Sequence, residues 1–191
     1  MAAARVEVVA AVAAAGGRAV GKTATSDQHS LHSVLREVII EHLLIGDMLR
    51  VLWCRGITNA EILRSEFDAG GYDLVLSRGE ITRHIQLKAM VVGGARRDVS
   101  VNLNLATKPS GCVVWVVVTD ELRLSSFLWF GAEPGQGLPD LAGNKVAKHT
   151  KGTSLGKKNE RPAHRVLRRS EFEELSSVEA LLDRLLGVAA R

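Results

Sequence analysis

Three side chains in one short stretch have the types and spacing to do chemistry: Asp73, Gln86 and Lys88. Tyr72–Leu76 and Ile81–Lys88 alternate apolar and polar residues on either side of Ser77-Arg78-Gly79-Glu80, which predicts a β-hairpin. Successive strand residues point to opposite faces, so His84, Gln86 and Lys88 share one face while Ile85, Leu87 and Ala89 share the other. Asp73 opens the first strand, with Val75 on its face. An acid, an amide and a lysine on adjacent strands form a set that can hold a divalent metal ion beside a fixed cation. The same residues on a solvated sheet face would make only a cross-strand ion pair, worth at most about 1 kcal/mol. His84 reads as a surface residue, with contact to a phosphate as the alternative.

A fourth residue comes from the strongest helical segment, Leu31–Cys54, which Gly56 stops just past its end. A projection at 100° per residue puts Val34, Val38, Ile45, Met48, Leu49 and Leu52 on one broad apolar face, with Arg36, Asp47 and Arg50 on the solvent side. Glu41 falls among the apolar residues. A carboxylate on a buried face is costly unless it is paired or bound to a metal. Either a nearby Arg or an ion shared with Asp73 and Lys88 would satisfy it.

Charge supplies the second line of argument. The net charge is +4, yet Lys145–Arg169 holds nine Lys and Arg against Glu160 alone, so this segment carries +8 and the remainder −4. A basic stripe on a slightly acidic body is the footprint of a polyanion binder; a solvated loop is the alternative. Its Gly content predicts a mobile arm rather than a helix. Arg96, Arg97 and Lys108 are candidates to extend that surface. Gly16-Gly17-Arg18-Ala19-Val20-Gly21-Lys22-Thr23 matches a phosphate loop, but Ala24–Ser30 is a poor start for the helix that such a loop requires.

The remaining segments must position these groups. Residues 1–28 read as a poorly ordered Ala/Gly-rich tail, and 29–191 as a single domain with a basic loop at 145–169. Ile57–Phe67 is a candidate first strand, and Asp98–Lys108 is consistent with either strand or helix. Cys112–Val118 is a continuous apolar run, as in a central strand buried on both faces. Leu124–Phe130 follows as another strand. Ser176-Ser177-Val178-Glu179 offers a capping box for a last helix with the stripe Val178, Leu181, Leu182, Leu185 and Leu186, ended by Gly187. With 46% hydrophobic and 24% charged residues, the chain has the composition of a globular protein. No apolar run reaches the ~20 residues that span a bilayer, and the N-terminus matches neither a signal peptide nor an anchor. Cys54 and Cys112, far apart in apolar sequence, read as reduced buried thiols, which suits a cytoplasmic location and provides no zinc site.

The order helix–strand–hairpin–strand–strand, with Glu41 on the helix, Asp73 on a strand and Gln86-Leu87-Lys88 on its partner, resembles the PD-(D/E)XK nuclease superfamily over roughly residues 31–130. The resemblance implies an α/β restriction-endonuclease-like core, with a mixed sheet of four to five strands between an N-terminal and a C-terminal helix. It implies a Mg²⁺- or Mn²⁺-dependent endonuclease acting on DNA, with Asp73, Gln86, the Leu87 carbonyl and Glu41 holding the metal. Lys88 would activate the attacking water. The basic residues Lys145, Lys148, Lys151, Lys157, Lys158 and Arg161 would then track DNA phosphates. A homodimer is an expectation of the same resemblance. Gln86 departs from the acidic residue usual at its position and leaves the site one charge short. A non-catalytic nucleic-acid-binding domain on the same fold is therefore the alternative, and a nucleotide binder using Gly16–Thr23 is a further one.

Overall fold

A long helix forms where the chain offers an uninterrupted run of Leu, Ile, Val, Met and charged residues without proline. The computed structural model, which describes residues 26–67, 69–149 and 159–187, contains it as α2 (Ser33–Cys54), after the short α1 (Ser26–Leu31). Gly56, at φ +68°, follows the last turn. The strands are β1 (Ala60–Arg64), β2 (Leu74–Arg78), β3 (Ile81–Val91), β4 (Asp98–Asn102), β5 (Gly111–Val118), β6 (Leu124–Gly131), β7 (Val146–Lys148), β8 (Glu160–Arg168) and β9 (Glu173–Leu175). The chain then enters α3 (Val178–Leu186).

Six strands form one mixed sheet in the order β1-β2-β3-β5-β6-β9, in which only β3 and β5 run parallel. The molecule is thus α/β with a central mixed sheet, larger than the four to five strands expected. A feature the sequence did not disclose is a second, antiparallel sheet, β4-β8-β7. It draws β4 from the segment that read equally as helix, and β7 and β8 from the two ends of the basic segment. Those ends are therefore strands rather than a mobile arm. Their pairing was hidden because residues far apart in sequence, such as Val99 and Leu167, supply each other's partners.

Two apolar layers hold the three tiers together. On one face of the main sheet, Ile40, Leu44, Met48 and Leu52 of α2 and Leu181 and Leu185 of α3 pack on Leu74, Leu76, Ile85, Val114 and Val116. On the other, Val99, Val101 and Leu167 of the second sheet pack on Met90, Val113, Trp115 and Val117. Every residue of β5 is buried, as its unbroken apolar run predicts, because layers cover both of its sides. At the start of α3 the Ser177 hydroxyl accepts the Ala180 N–H, and at its other end Gly187 closes the helix at φ +66°.

The helical projection of α2 needs correction. Its buried residues are Ile40, Leu44, Met48, Val51 and Leu52, whereas Val34, Val38 and Leu49 are exposed by 75%, 40% and 45%. With apolar residues nearly all round this helix, periodicity alone could not tell which side meets the sheet. Cys54 is likewise exposed rather than buried. Cys112 is buried beside the guanidinium of Arg83, a residue with no exposed surface, and burial pushes its thiol up to about 11. The phosphate-loop match at Gly16–Thr23 and the basic residues Lys151, Lys157 and Lys158 lie outside the described residues. No described helix is long and apolar enough to cross a membrane.

Two predictions follow from this packing. Leu44→Ala, at a position 1% exposed, is expected to lower the unfolding free energy in urea by about 2–5 kcal/mol. At mildly alkaline pH a thiol reagent is expected to modify Cys54 in the folded protein and Cys112 only after denaturation. Equal rates at both in the native state would contradict the burial of β5.

Candidate active site

The site begins where two paired strands part company. β2 pairs with only the first five residues of β3, Ile81–Ile85, and β3 then runs on to Val91 with β5 on one side. Asp73 stands at this junction, one residue before β2. Its N–H donates to the Ile85 carbonyl (2.9 Å), and its own carbonyl accepts the Ser65 N–H (2.8 Å). Its carboxylate then takes the next place in the ladder, accepting the Leu87 N–H at 2.6 Å. Strand geometry points the N–H and C=O of one residue to the same side, so the Leu87 carbonyl also lies along the edge that β2 leaves free. Gly71 sets the approach. At φ +75° it passes so close to the second sheet's end that a Cβ would lie 3.0 Å from Asn102 Cβ and from the Leu105 nitrogen.

Helix α2 crosses beside this edge. A cleft of about 400 Å³ lies between them, lined by Glu37 and Glu41 of the helix and by Asp73, Leu87, Lys88 and Arg96. The fold therefore brings Glu41, Asp73, Leu87 and Lys88 together although up to 47 positions separate them in sequence. The partner of Glu41 is also resolved. Its carboxylate, with 17% of the side chain exposed, is ion-paired with Arg64 of β1. Of the two ways to satisfy this acid, the structure contains the arginine.

Gln86 is the member that this cleft does not include. It is 3% exposed, its amide oxygen lies 3.4 Å from the Asn102 N–H, and it lines an adjacent cavity of about 410 Å³. Strand alternation explains the division. Gln86 belongs to the face of β3 that the second sheet covers, and the fold closes β4 over it. Lys88, two residues on and longer, lines both cavities, as does Arg96.

The neighbouring cavity is basic. Lys148 of β7 and Arg161 of β8 line it, joined by His164 and Ser100, neither of which the sequence singled out. Arg161 Nη2 is 2.7 Å from His164 Nε2; a guanidinium has no acceptor, so this imidazole nitrogen accepts. The two meet through an irregularity in β8, where Val146 is opposite Arg165 but the next residue, Ala147, is opposite Arg161. Pro162, which cannot donate to a ladder, occupies that bulge. A third groove, about 920 Å³, collects Arg96, Arg97, Arg168 and Arg169. Lys145 is exposed outside these cavities, its backbone carbonyl accepting the Val166 N–H. Lys108 and His84 have local roles: the lysine sits 5.6 Å from the Tyr72 ring, and the His84 ring packs on Tyr72 with Nδ1 3.0 Å from the Pro109 carbonyl.

Among the described residues no group of three or more His, Cys, Asp or Glu side chains is placed to hold a metal ion. A cation in the cleft would draw on Asp73, Glu41, the Leu87 carbonyl and water. Hard oxygen donors of this kind suit Mg²⁺ or Mn²⁺, with Glu41 shared with Arg64. Because Asp73 also completes a backbone ladder, Asp73→Ala is expected to cost about 1–3 kcal/mol of stability in urea unfolding. Asp73→Asn keeps an acceptor for Leu87 N–H and is expected to cost less than about 1 kcal/mol. In comparisons with known proteins, no family model matches this chain and no similar curated sequence was found.

Proposed function

We propose that this protein is a Mg²⁺- or Mn²⁺-dependent DNA endonuclease on a restriction-endonuclease-like core, with Asp73, Glu41 and Lys88 as its working residues. The observation that carries the reading is the cleft at the free edge of β3. There the carboxylates of Glu41 and Asp73, with Glu37 beside them, line one cleft with Leu87 and Lys88, next to a cavity lined by Lys148, Arg161 and His164. A metal ion bound by Asp73, Glu41 and the Leu87 carbonyl would neutralise phosphate charge and lower the pKa of a bound water.

The chain's own groups divide the remaining work. Phosphodiester hydrolysis brings a nucleophile to a phosphorus already surrounded by negative charge. Lys88, between the acidic cleft and the basic cavity, is placed to orient that water and to offset charge that develops on phosphate oxygens. Arg96 borders the same two cavities and holds the substrate's backbone there. Lys148 and Arg161 contribute affinity through phosphates, without reading bases. Arg64 competes with the metal for Glu41, so Glu41 acts through water or after exchanging partners. Arg64→Ala is therefore expected to tighten Mn²⁺ binding measured calorimetrically.

One observation favours a second reading, a nucleic-acid-binding domain without catalysis: Gln86 is neutral and is buried beside Asn102 rather than in the cleft. The two separate in one experiment. Plasmid and branched DNA are incubated with Mg²⁺ or Mn²⁺ and the wild-type protein, Lys88→Ala or Asp73→Asn, while anisotropy records binding. The nuclease reading expects wild-type cleavage that falls on the order of 100-fold or more in each variant, with binding retained. Binding by all three without cleavage by any establishes the second reading instead. In either case Lys148→Ala and Arg161→Ala are each expected to reduce the slope of log K against log salt by about one.

A further inference from the structure

The outward side of the long helix carries the wrong residues for solvent. The i to i−4 bonds from His32 to Gln28 and from Arg36 to His32 carry the helical path from α1 into α2. His32, at φ −113° and ψ 38°, nonetheless interrupts the helix between them, so a single 100° projection describes 33–54, with Leu31 just before that break. Opposite the buried face of Ile40, Leu44, Met48 and Val51 lie Leu31, Leu35, Ile39, His42, Gly46, Leu49 and Trp53. Within about 50° of that direction no residue has a permanent charge; Arg50 is the nearest, at roughly 65°. Leu31 is 77% exposed, Leu35 58%, Leu49 45% and Trp53 75%, with Ile39 among them at 37% and Val38 beside them at 40%. Together these six leave on the order of 600 Å² uncovered on one face, the lower end of what one partner contributes to a standard interface.

We propose that this face pairs with the same face of a second copy, the two helices antiparallel about a two-fold axis at His42. The order of residues is what identifies the occupant. Read outward from His42, the stripe meets Val38 on one side and Gly46 on the other, then Leu35 and Leu49, then Leu31 and Trp53. An antiparallel copy centred there puts Leu35 against Leu49, Leu31 against Trp53, and Val38 into the notch at Gly46, where no atom lies within 4 Å of an added Cβ. Each contact occurs twice, as an isologous interface requires. The pairing does not rest on the proposed nuclease activity, although Val34 and Val38 also line the cleft and the paired face therefore borders it.

Light scattering on the full chain at about 50 μM, above the micromolar affinity at the weak end for such an interface, is expected to give twice the chain mass. Leu49→Glu, whose carboxylate symmetry buries twice, is expected to raise the dimer dissociation constant at least about 100-fold with an unchanged circular dichroism spectrum. A Cys54→Ser, His42→Cys variant is expected to form an intermolecular disulfide on mild oxidation, since its sulfurs face each other at the axis. Cys54 of the otherwise wild-type chain is expected not to, because two Cys54 would stand roughly 36 Å apart. A monomer at that concentration overturns the proposal, whatever else covers the face. So does a dimer that Leu49→Glu leaves intact or that His42→Cys does not cross-link.

Discussion

The constraint on which the structure depends is that β5 has no side that tolerates water. Eight consecutive residues, Gly111–Val118, alternate between two faces, and all are buried. A strand apolar on both faces requires a layer on each, and the chain has too few long helices to supply both. Helices α2 and α3 cover one face; the other is closed by a small sheet in which β4 pairs with β8, more than 40 residues further along the sequence. Trp115, fully buried and edge-on to Phe172 at 5.6 Å, marks how tightly that second layer is seated.

This layering creates the cleft. Because β3 must run long enough to pair with all of β5, it outreaches β2, and its far edge is left without a strand. The Asp73 carboxylate caps the first exposed N–H of that edge, so one group serves both the ladder and the cleft. The second sheet does two things at once: it closes over Gln86 and lifts Lys148, Arg161 and His164 alongside Lys88. Glu37, Glu41 and Asp73 thus line one cavity and Lys148, Arg161 and His164 the next, with Lys88 and Arg96 lining both.

Much of this was legible in the residues. The hairpin, the doubly buried strand and the last helix follow from local patterns that no distant residue overrides. Glu41 stood out because an acid within an apolar run demands a partner. The partner itself was not legible: Arg64 reaches Glu41 only because β1 lies at the sheet's edge beneath α2. Nor was the buried face of α2, where apolar residues on nearly every side leave the hydrophobic period without a direction. The second sheet escaped for a related reason. The segment of β4 fits a helix as well as a strand, and β7 and β8 carry a proline and many charges, so none is recognisable as part of a sheet until it is paired.

The amino-acid sequence by itself determined the local elements and the chemical types available near the hairpin: an acid at the start of the first strand, which the structure places one residue ahead of it, and an amide and a lysine on one face of the next. Spacing along a strand dictates face, and face is a property of a few adjacent residues. Only the tertiary structure decided which of those groups share a space. It put Glu41, Asp73, Leu87 and Lys88 around one cleft and turned Gln86 into the next cavity. The physical reason is that a cleft is bounded by elements that meet through packing. Where α2 and β4 settle depends on burying the two sides of β5, which no single segment specifies.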